Sequence, residues 1–89
     1  MTTPNGAPAV GGPPPESCHT IVYLGTGMML AFDEEATVVA DRVDAFLINS
    51  SAGNFLELHY DRRPFFLSRK EAEIIFHIQP IARVAVAKL

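Results

Sequence analysis

The chain has one cysteine, Cys18, and no tryptophan among its 89 residues. A single cysteine cannot form an intrachain disulfide, and it cannot supply a four-cysteine or two-cysteine, two-histidine zinc site. Small secreted domains usually depend on several disulfides, so the count fits a reducing compartment. We therefore predict a cytoplasmic protein that folds without a disulfide.

Long apolar runs and an excess of basic residues are also missing. No stretch approaches the roughly 20 apolar residues that span a bilayer, and the N-terminus lacks the basic start and apolar run of a secretory signal. Seven Lys and Arg residues stand against ten Asp and Glu residues, which gives a net charge of −3. Because non-specific nucleic-acid binding depends on phosphate neutralisation, this balance does not favour it. We expect no membrane partner, and nucleic acid is a less favoured one.

Apolar side chains, by contrast, are abundant. Residues 18–89 number 89 − 17 = 72, and 39 of them are Ala, Val, Ile, Leu, Met, Phe, Tyr or Cys. A domain of this size buries only about 60% of the surface that its unfolded chain exposes. Some apolar side chains should therefore stay outside, and contiguous exposed apolar surface usually marks an interface. This excess predicts a module that a partner, or a second copy, covers.

The first 17 residues differ from the rest in composition. They hold five prolines and three glycines, and their only large apolar residues are Met1 and Val10. Such a segment cannot bury enough surface to offset its ordering entropy. We predict a disordered tail over residues 1–17 and one domain over residues 18–89.

Two hairpins are indicated along the domain. The apolar runs 19–24 and 28–32 are joined by Gly25-Thr26-Gly27, which is typical of a β-hairpin. The runs 43–48 and 55–60, separated by a six-residue polar loop, indicate a second hairpin. Residues 34–47 also fit helical spacing, with Asp33 as a possible cap, so a helix over that range remains an alternative.

A helix is expected near the C-terminus. Ser68 and Glu71 form a capping-box pattern, and Pro80 disfavours helical geometry before it, so we predict a helix over about 69–79. On that helix Ile74 and Ile78 form a second apolar stripe, beside the one that faces the core. Residues 81–89 indicate a final strand. The predicted fold is α+β, a small antiparallel sheet of four to six strands with this helix packed on it.

Charge is distributed unevenly. Five acidic residues lie between Asp33 and Asp44, and four basic residues follow in the next polar region: Arg62, Arg63, Arg69 and Lys70. Such asymmetry can orient a partner or mediate self-association. Arg62 and Arg63 flank a turn beside Tyr60 and Phe65, a combination that also suits phosphate contact and base stacking. The candidate partner-binding residues are therefore Ile74, Ile78, Arg62, Arg63, Tyr60 and Phe65.

Nothing in the sequence indicates catalysis. The serines and Cys18 are not placed beside a base in any recognisable motif, and Glu34 and Glu35 are adjacent, so they do not point together on regular structure. His19, His59 and His77 lack the spacing of a metal site. We therefore expect no enzyme activity, no metal and no cofactor.

These observations predict a small non-catalytic interaction module, acting as a regulator, inhibitor or assembly component and self-associating through an exposed apolar surface. The alternative is a nucleic-acid-associated regulator that uses Arg62, Arg63, Arg69 and Lys70. The two differ in salt dependence, because phosphate contacts weaken steeply with salt.

Overall fold

The structure, a computed structural model, describes residues 13–82. Within this range the elements follow one another as β1 (Thr20–Leu24), β2 (Met29–Phe32), α1 (Ala36–Ile48), β3 (Phe55–Tyr60), β4 (Arg63–Ser68), α2 (Arg69–Glu73) and β5 (Ile75–Pro80). The predicted α+β class, with small antiparallel sheets and helices, is confirmed. The arrangement differs from the prediction in three respects. The strands of the described region form two sheets, of three and two strands, rather than one sheet of four to six; the principal helix and the C-terminal region also differ.

The first sheet has three antiparallel strands in the order β2-β1-β5. The hairpin predicted over 19–32 forms it together with a strand from the other end of the described chain. Val22 pairs with Leu30 on one side and with Ile78 on the other. Gly27, with φ of 90°, lies in the β1–β2 turn, where a side chain would be strained. Alternate residues of β1 are buried, so one face of this sheet lies against the core.

The second sheet is the β3–β4 hairpin, in which Leu56 pairs with Leu67 and Leu58 with Phe65. Its two-residue turn, Asp61-Arg62, has positive φ at both positions, 49° and 68°, as a type I′ turn requires. The two sheets meet at one corner, because the Asp33 N–H at the end of β2 donates to the His59 carbonyl of β3 at 2.7 Å. The hairpin thus extends from the free edge of β2.

Helix α1 covers the space between the sheets. Its residues Val39, Val43 and Phe46 recur at intervals of four and three, so they share one face and are buried. They join a core contributed by both sheets and α2, which contains Val22, Leu24, Leu30, Phe32, Leu56, Leu58, Leu67 and Ala72. The strand predicted over 43–48 is wrong, and the helical alternative for this region describes the chain better. Burial of that helical stripe outweighs the strand preference of the β-branched residues.

The predicted helix over 69–79 is also wrong in extent. The capping box is present, with Ser68 Oγ accepting from the Glu71 N–H at 3.0 Å and the Glu71 carboxylate accepting from the Ser68 N–H at 2.9 Å. However, α2 ends at Glu73, and residues 75–80 pair with β1. The run from Ile74 to Ile78 contains three isoleucines and a phenylalanine, which favour strand geometry. Pro80 therefore ends a strand rather than a helix.

The sequence predicted a disordered tail over residues 1–17 and a final strand over residues 81–89. Residues 1–12 and 83–89 lie outside the described residues, and so does most of each predicted segment. Among the described residues, Pro15 and Cys18 form a turn, since the Cys18 N–H donates to the Pro15 carbonyl at 3.0 Å. The Ile81 N–H donates to the His19 carbonyl at 2.9 Å, which extends the β5–β1 pairing by one residue.

The helical state of residues 43–48 has a direct test. Ala45 is exposed in the interior of α1, so Ala45→Gly should lower the free energy of unfolding by about 0.5–1 kcal/mol through lost helix propensity. Chemical denaturation monitored by circular dichroism measures it. The matched control is Ala52→Gly in the exposed loop after α1, which should cost less. Equal effects of the two substitutions would contradict a helix at Ala45.

Candidate functional site

The Asp33 carboxylate holds the tip of the β3–β4 hairpin. Its two oxygens accept from the backbone N–H groups of both turn residues, Asp61 at 2.8 Å and Arg62 at 2.6 Å. It also accepts from Ser17 Oγ at 3.0 Å. Burial acts to raise the pKa of this carboxyl, but the hydrogen bond from the Arg62 N–H, with those from Cys18, Ser17 and Asp61, outweighs burial and lowers the pKa. The predicted role of Asp33 as a helix cap is wrong, because α1 begins after Glu35, which makes no side-chain cap.

Glu34 makes the next connection between the two sheets. One of its carboxylate oxygens accepts from the His59 backbone N–H at 2.9 Å, and the other lies 2.7 Å from His59 Nδ1. Glu57, two residues before His59 on β3, lies 3.4 Å from His59 Nε2. The hydrogen bond to Glu34 is the main reason that the pKa of His59 is raised above its ordinary value of 6.5. Arg42 of α1, 3.8 Å from Glu34, completes this charged group.

Cys18 is buried beside the same carboxylate. Its Sγ lies 3.3 Å from the Asp33 oxygen that accepts from the Asp61 N–H, and the residue is fully shielded from solvent. Burial is the largest cause that raises the pKa of the thiol to about 11. A thiol of this kind is a structural residue rather than a nucleophile.

Arg69 is committed to the interior contacts of the fold. Its guanidinium donates to the carbonyls of Phe46 at 2.8 Å, Gly53 at 2.8 Å and Asn49 at 3.3 Å, and it lies 4.1 Å from the centroid of the Phe46 ring. These bonds satisfy carbonyls at the C-terminal end of α1 and the loop that follows. The predicted four-residue basic cluster is therefore divided, because Arg69 is occupied by these contacts.

The other predicted basic residues face solvent. Arg62 and Arg63 are exposed at the hairpin tip, and Lys70 is exposed on α2. Within residues 13–82 none of the three makes an ion pair; the charged pairs there involve Glu34, Arg42, His59 and Glu57. Tyr60, just before the turn, is half-buried. Arg62 and Arg63 thus form an unpaired cationic tip, which we call the basic turn.

The predicted apolar contact residues lie in three different environments. Phe65 packs against the core, with its ring 5.6 Å from that of Phe32. Ile78 also packs against the core from β5. Ile74 is partly exposed at the end of α2, and its carbonyl accepts from the Gly25 N–H at 2.8 Å. Ile74 and Ile78 do not form a helical stripe, because they lie on either side of the junction between α2 and β5.

Two phenylalanines of the β3–β4 hairpin point away from the core. Phe55 is 59% exposed and Phe66 56% exposed. Glu57 pairs with Phe66, and Phe55 is two residues from Glu57, so both rings lie on one face of the hairpin in diagonal positions. We call Phe55, Pro64 and Phe66 the hairpin face. The alternation of residues 55–61 already places Phe55 on the polar side of its strand, and that was the signal available in the sequence.

A groove of about 340 Å³ lies between α1, α2 and β5. Val43 and Leu47 line it from α1, and Phe76 and Ile78 from β5; Asp44 and Glu73 stand among them. Phe76 is 69% exposed and Leu47 is partly exposed. His77 also lines the groove, whereas no lysine or arginine of residues 13–82 does. We call the groove formed by Val43, Asp44, Leu47, Glu73, Phe76 and Ile78 the acidic groove.

Neither outer edge of the described sheets is well suited to pairing with another strand. The Ile81 N–H points to β1, so by alternation Pro80 points to the free edge of β5, where it has no N–H to offer. Phe76 is the extra residue of a bulge in the same strand, since Tyr23 pairs with His77 and the next residue with Ile75. A bulge and a proline both protect an edge from strand addition.

The free edge of β4 is protected in a similar way. The N–H and carbonyl of His59 bond to Glu34 and Asp33, so they point away from β4. Its partner Pro64 must then also point outward, again without an N–H. At the other end of β4 the Ser68 N–H is bonded to Glu71. Both edges therefore offer few free backbone groups to an added strand.

Among residues 13–82, no group of three His, Cys, Asp or Glu side chains is placed to hold a metal ion. Neither described helix has the length and apolar character needed to cross a membrane.

Comparison with other proteins gives no further guide to the site. No protein-family model matches the chain, and no match was found among curated proteins or among solved structures.

The His59–Glu34 contact predicts a pH-dependent stability. Because the pKa of His59 is raised on folding, its stabilising contribution is complete below about pH 6.5 and is lost as the pH rises through the raised pKa. The free energy of unfolding of the wild type should thus exceed that of His59→Gln by more at pH 6 than at pH 8. The matched control is His77→Gln, since His77 makes no ion pair within residues 13–82. A difference between wild type and His59→Gln that did not vary with pH would contradict this assignment.

Proposed function

We propose that the protein is a small non-catalytic interaction module that binds another protein, or a second copy of itself, through exposed apolar side chains. In this role it acts as a regulator, inhibitor or assembly component. The observation that carries the proposal is the position of Phe55, Phe66 and Phe76, three large aromatic side chains that remain more than half exposed after folding.

Burial energetics support this proposal. Burying a phenylalanine side chain contributes about 1.5–3 kcal/mol, so each ring left outside forgoes a gain that a partner surface would supply. Aromatic residues are also enriched among the residues that dominate binding energy at interfaces. Each surface carries a second apolar residue, because Pro64 is on the hairpin face with Phe66 and Leu47 lies across the groove from Phe76. Such patches are typical of surfaces that a partner covers.

Polar chemistry in the described region supports a non-catalytic role. The best-formed polar cluster, around Asp33 and Glu34, is occupied by backbone N–H groups and by His59. The Cys18 thiol is buried and has a raised pKa, which is the opposite of what a nucleophile needs. These groups act on the fold itself.

Photo-crosslinking in the cells that make the protein tests this function. With p-benzoylphenylalanine at position 66, irradiation should join the full chain to a defined partner, either another protein or a second copy. The same group at Thr37, an exposed position on α1 that belongs to neither the acidic groove nor the hairpin face, is the control. Adducts that form equally from positions 66 and 37, or from neither, would contradict an interface on the hairpin face.

A second candidate function is nucleic-acid binding through the basic turn. It is favoured by the exposure of Arg62 and Arg63 and by their lack of ion pairs within residues 13–82. With Arg69 occupied elsewhere, Lys70 is the remaining member of the predicted cluster. Such a binder would depend on few phosphate contacts and would be weak at physiological salt.

A titration of a single-stranded oligonucleotide at two salt concentrations tests this candidate. Binding should weaken as salt rises, and Arg62→Gln with Arg63→Gln should reduce the slope of log affinity against log salt by about 1.4, at roughly 0.7 per phosphate contact. Lys70→Gln, also exposed, gives a comparison at a separate position. The absence of binding at low salt would remove nucleic acid from consideration.

A further inference from the structure

Two surfaces of this chain are complementary in both charge and polarity. The acidic groove combines the carboxylates of Asp44 and Glu73 with an apolar lining. The basic turn, Arg62 and Arg63, is followed directly by Pro64 and by Phe66 of the hairpin face. The two surfaces thus carry charges of opposite sign, and each charge lies beside exposed apolar side chains.

Contacts within the fold already occupy three of the neighbouring charged side chains. Asp33 is occupied by the turn N–H groups, Glu34 by His59, and Arg69 by three carbonyls. Asp44, Glu73 and the two turn arginines have no ion pair within residues 13–82. These four residues are therefore available for contacts between molecules.

One molecule does not bring these surfaces together. The basic turn is fixed beside Asp33, before the start of α1, by bonds from Asp61 and Arg62 to its carboxylate. Asp44 lies eight residues beyond Ala36, which corresponds to about 12 Å along the helix. No ion pair joins the two surfaces in the described structure.

We propose that a second copy of this chain supplies the missing half, so that the basic turn of each copy lies against the acidic groove of the other. Since every copy carries both surfaces, two such contacts can form at once around a two-fold axis and close a dimer. This inference rests on the proposed interaction function and names its partner. The protected edges of β4 and β5 agree with it, because the contact uses side chains and needs no added strand.

Charge reversal in the two surfaces separately provides the test. The first variant carries Arg62→Glu and Arg63→Glu, and the second carries Asp44→Lys and Glu73→Lys. Each alone brings like charges together in a dimer, so its dissociation constant should rise by about tenfold or more relative to wild type. Sedimentation velocity of the full chain measures this against the 9.7 kDa mass of one chain.

Mixing the two variants distinguishes a specific contact from general destabilisation. In a mixed dimer one contact is the native one and the other has both signs reversed, so both are attractive. The mixture should therefore recover a dimer at a 1:1 ratio although each variant alone is monomeric. Larger assemblies in the mixture would show head-to-tail contacts and overturn the two-fold arrangement; a mixture that stays monomeric would overturn the pairing itself.

A matched control separates the groove from the rest of α1. Asp41 is an exposed acid of the same helix that does not line the groove, so Asp41→Lys should leave the dimer unchanged while Asp44→Lys weakens it. If a reversed variant fails to fold, as judged by circular dichroism, the wild-type dimer itself still provides a test. Its dissociation constant should rise several-fold between 50 and 500 mM salt, and no change would contradict charge pairing.

The failure of this inference can be told apart from failure of the proposed function. A wild-type chain that stays monomeric at all concentrations, yet crosslinks through position 66 to a different protein, overturns the second copy as the partner but keeps the interaction function. A monomer that also gives no adduct overturns both.

Discussion

The carboxylate of Asp33 is the contact on which the arrangement of the two sheets depends. A type I′ turn made of Asp61 and Arg62 requires positive φ at two residues that are not glycine, which is uncommon for a side chain as long as arginine. Asp33 accepts from both turn N–H groups, and its own N–H donates to β3. The same residue therefore ends β2, fixes the hairpin tip and joins the sheets. Its lowered pKa reflects how well these donors satisfy the charge.

Many polar groups of the described region make contacts within the fold. Glu34 and Arg69 connect elements that are distant in sequence, one between the sheets and the other between α1 and the start of α2. Among the exposed charges and rings that remain, Arg62 and Arg63 form the basic turn, Phe55 and Phe66 lie on the hairpin face, and Asp44, Glu73 and Phe76 lie in the acidic groove. The free edges of β4 and β5 carry prolines, and β5 also carries a bulge, so they add little to these surfaces.

Local signals in the sequence predicted local structure well. The glycine-containing connection after Leu24 gave the first hairpin, and the Ser68–Glu71 box gave the start of α2. What local signals could not predict was the length of α2, because residues 75–80 become a strand only through pairing with β1, some fifty residues earlier. Helix α1 was ambiguous for a related reason. Its valines favour a strand. The helix is favoured by burial of its apolar stripe, and that burial depends on the hairpin against which α1 packs.

The candidate surfaces were predicted less completely than the local structure. Arg62 and Arg63 are exposed and make no ion pair within residues 13–82, which matches their expected place at a turn. In contrast, Phe65 was expected at an interface and lies against the core, whereas its neighbour Phe66 is exposed. Two adjacent phenylalanines on a strand must point to opposite faces, but which face is inside depends on the sheet register. Asp44 and Phe76 meet in one groove only because α1 packs beside β5, which no motif announces.

The burial of Cys18 has a consequence for covalent chemistry. Burial raises the pKa of this thiol to about 11, so it is protonated at neutral pH, and the thiolate is the species that attacks disulfides and electrophiles. Oxidants would thus encounter a reactive sulfur chiefly during transient opening of the segment that holds it. A disulfide between two copies through Cys18 accordingly requires that segment to open first.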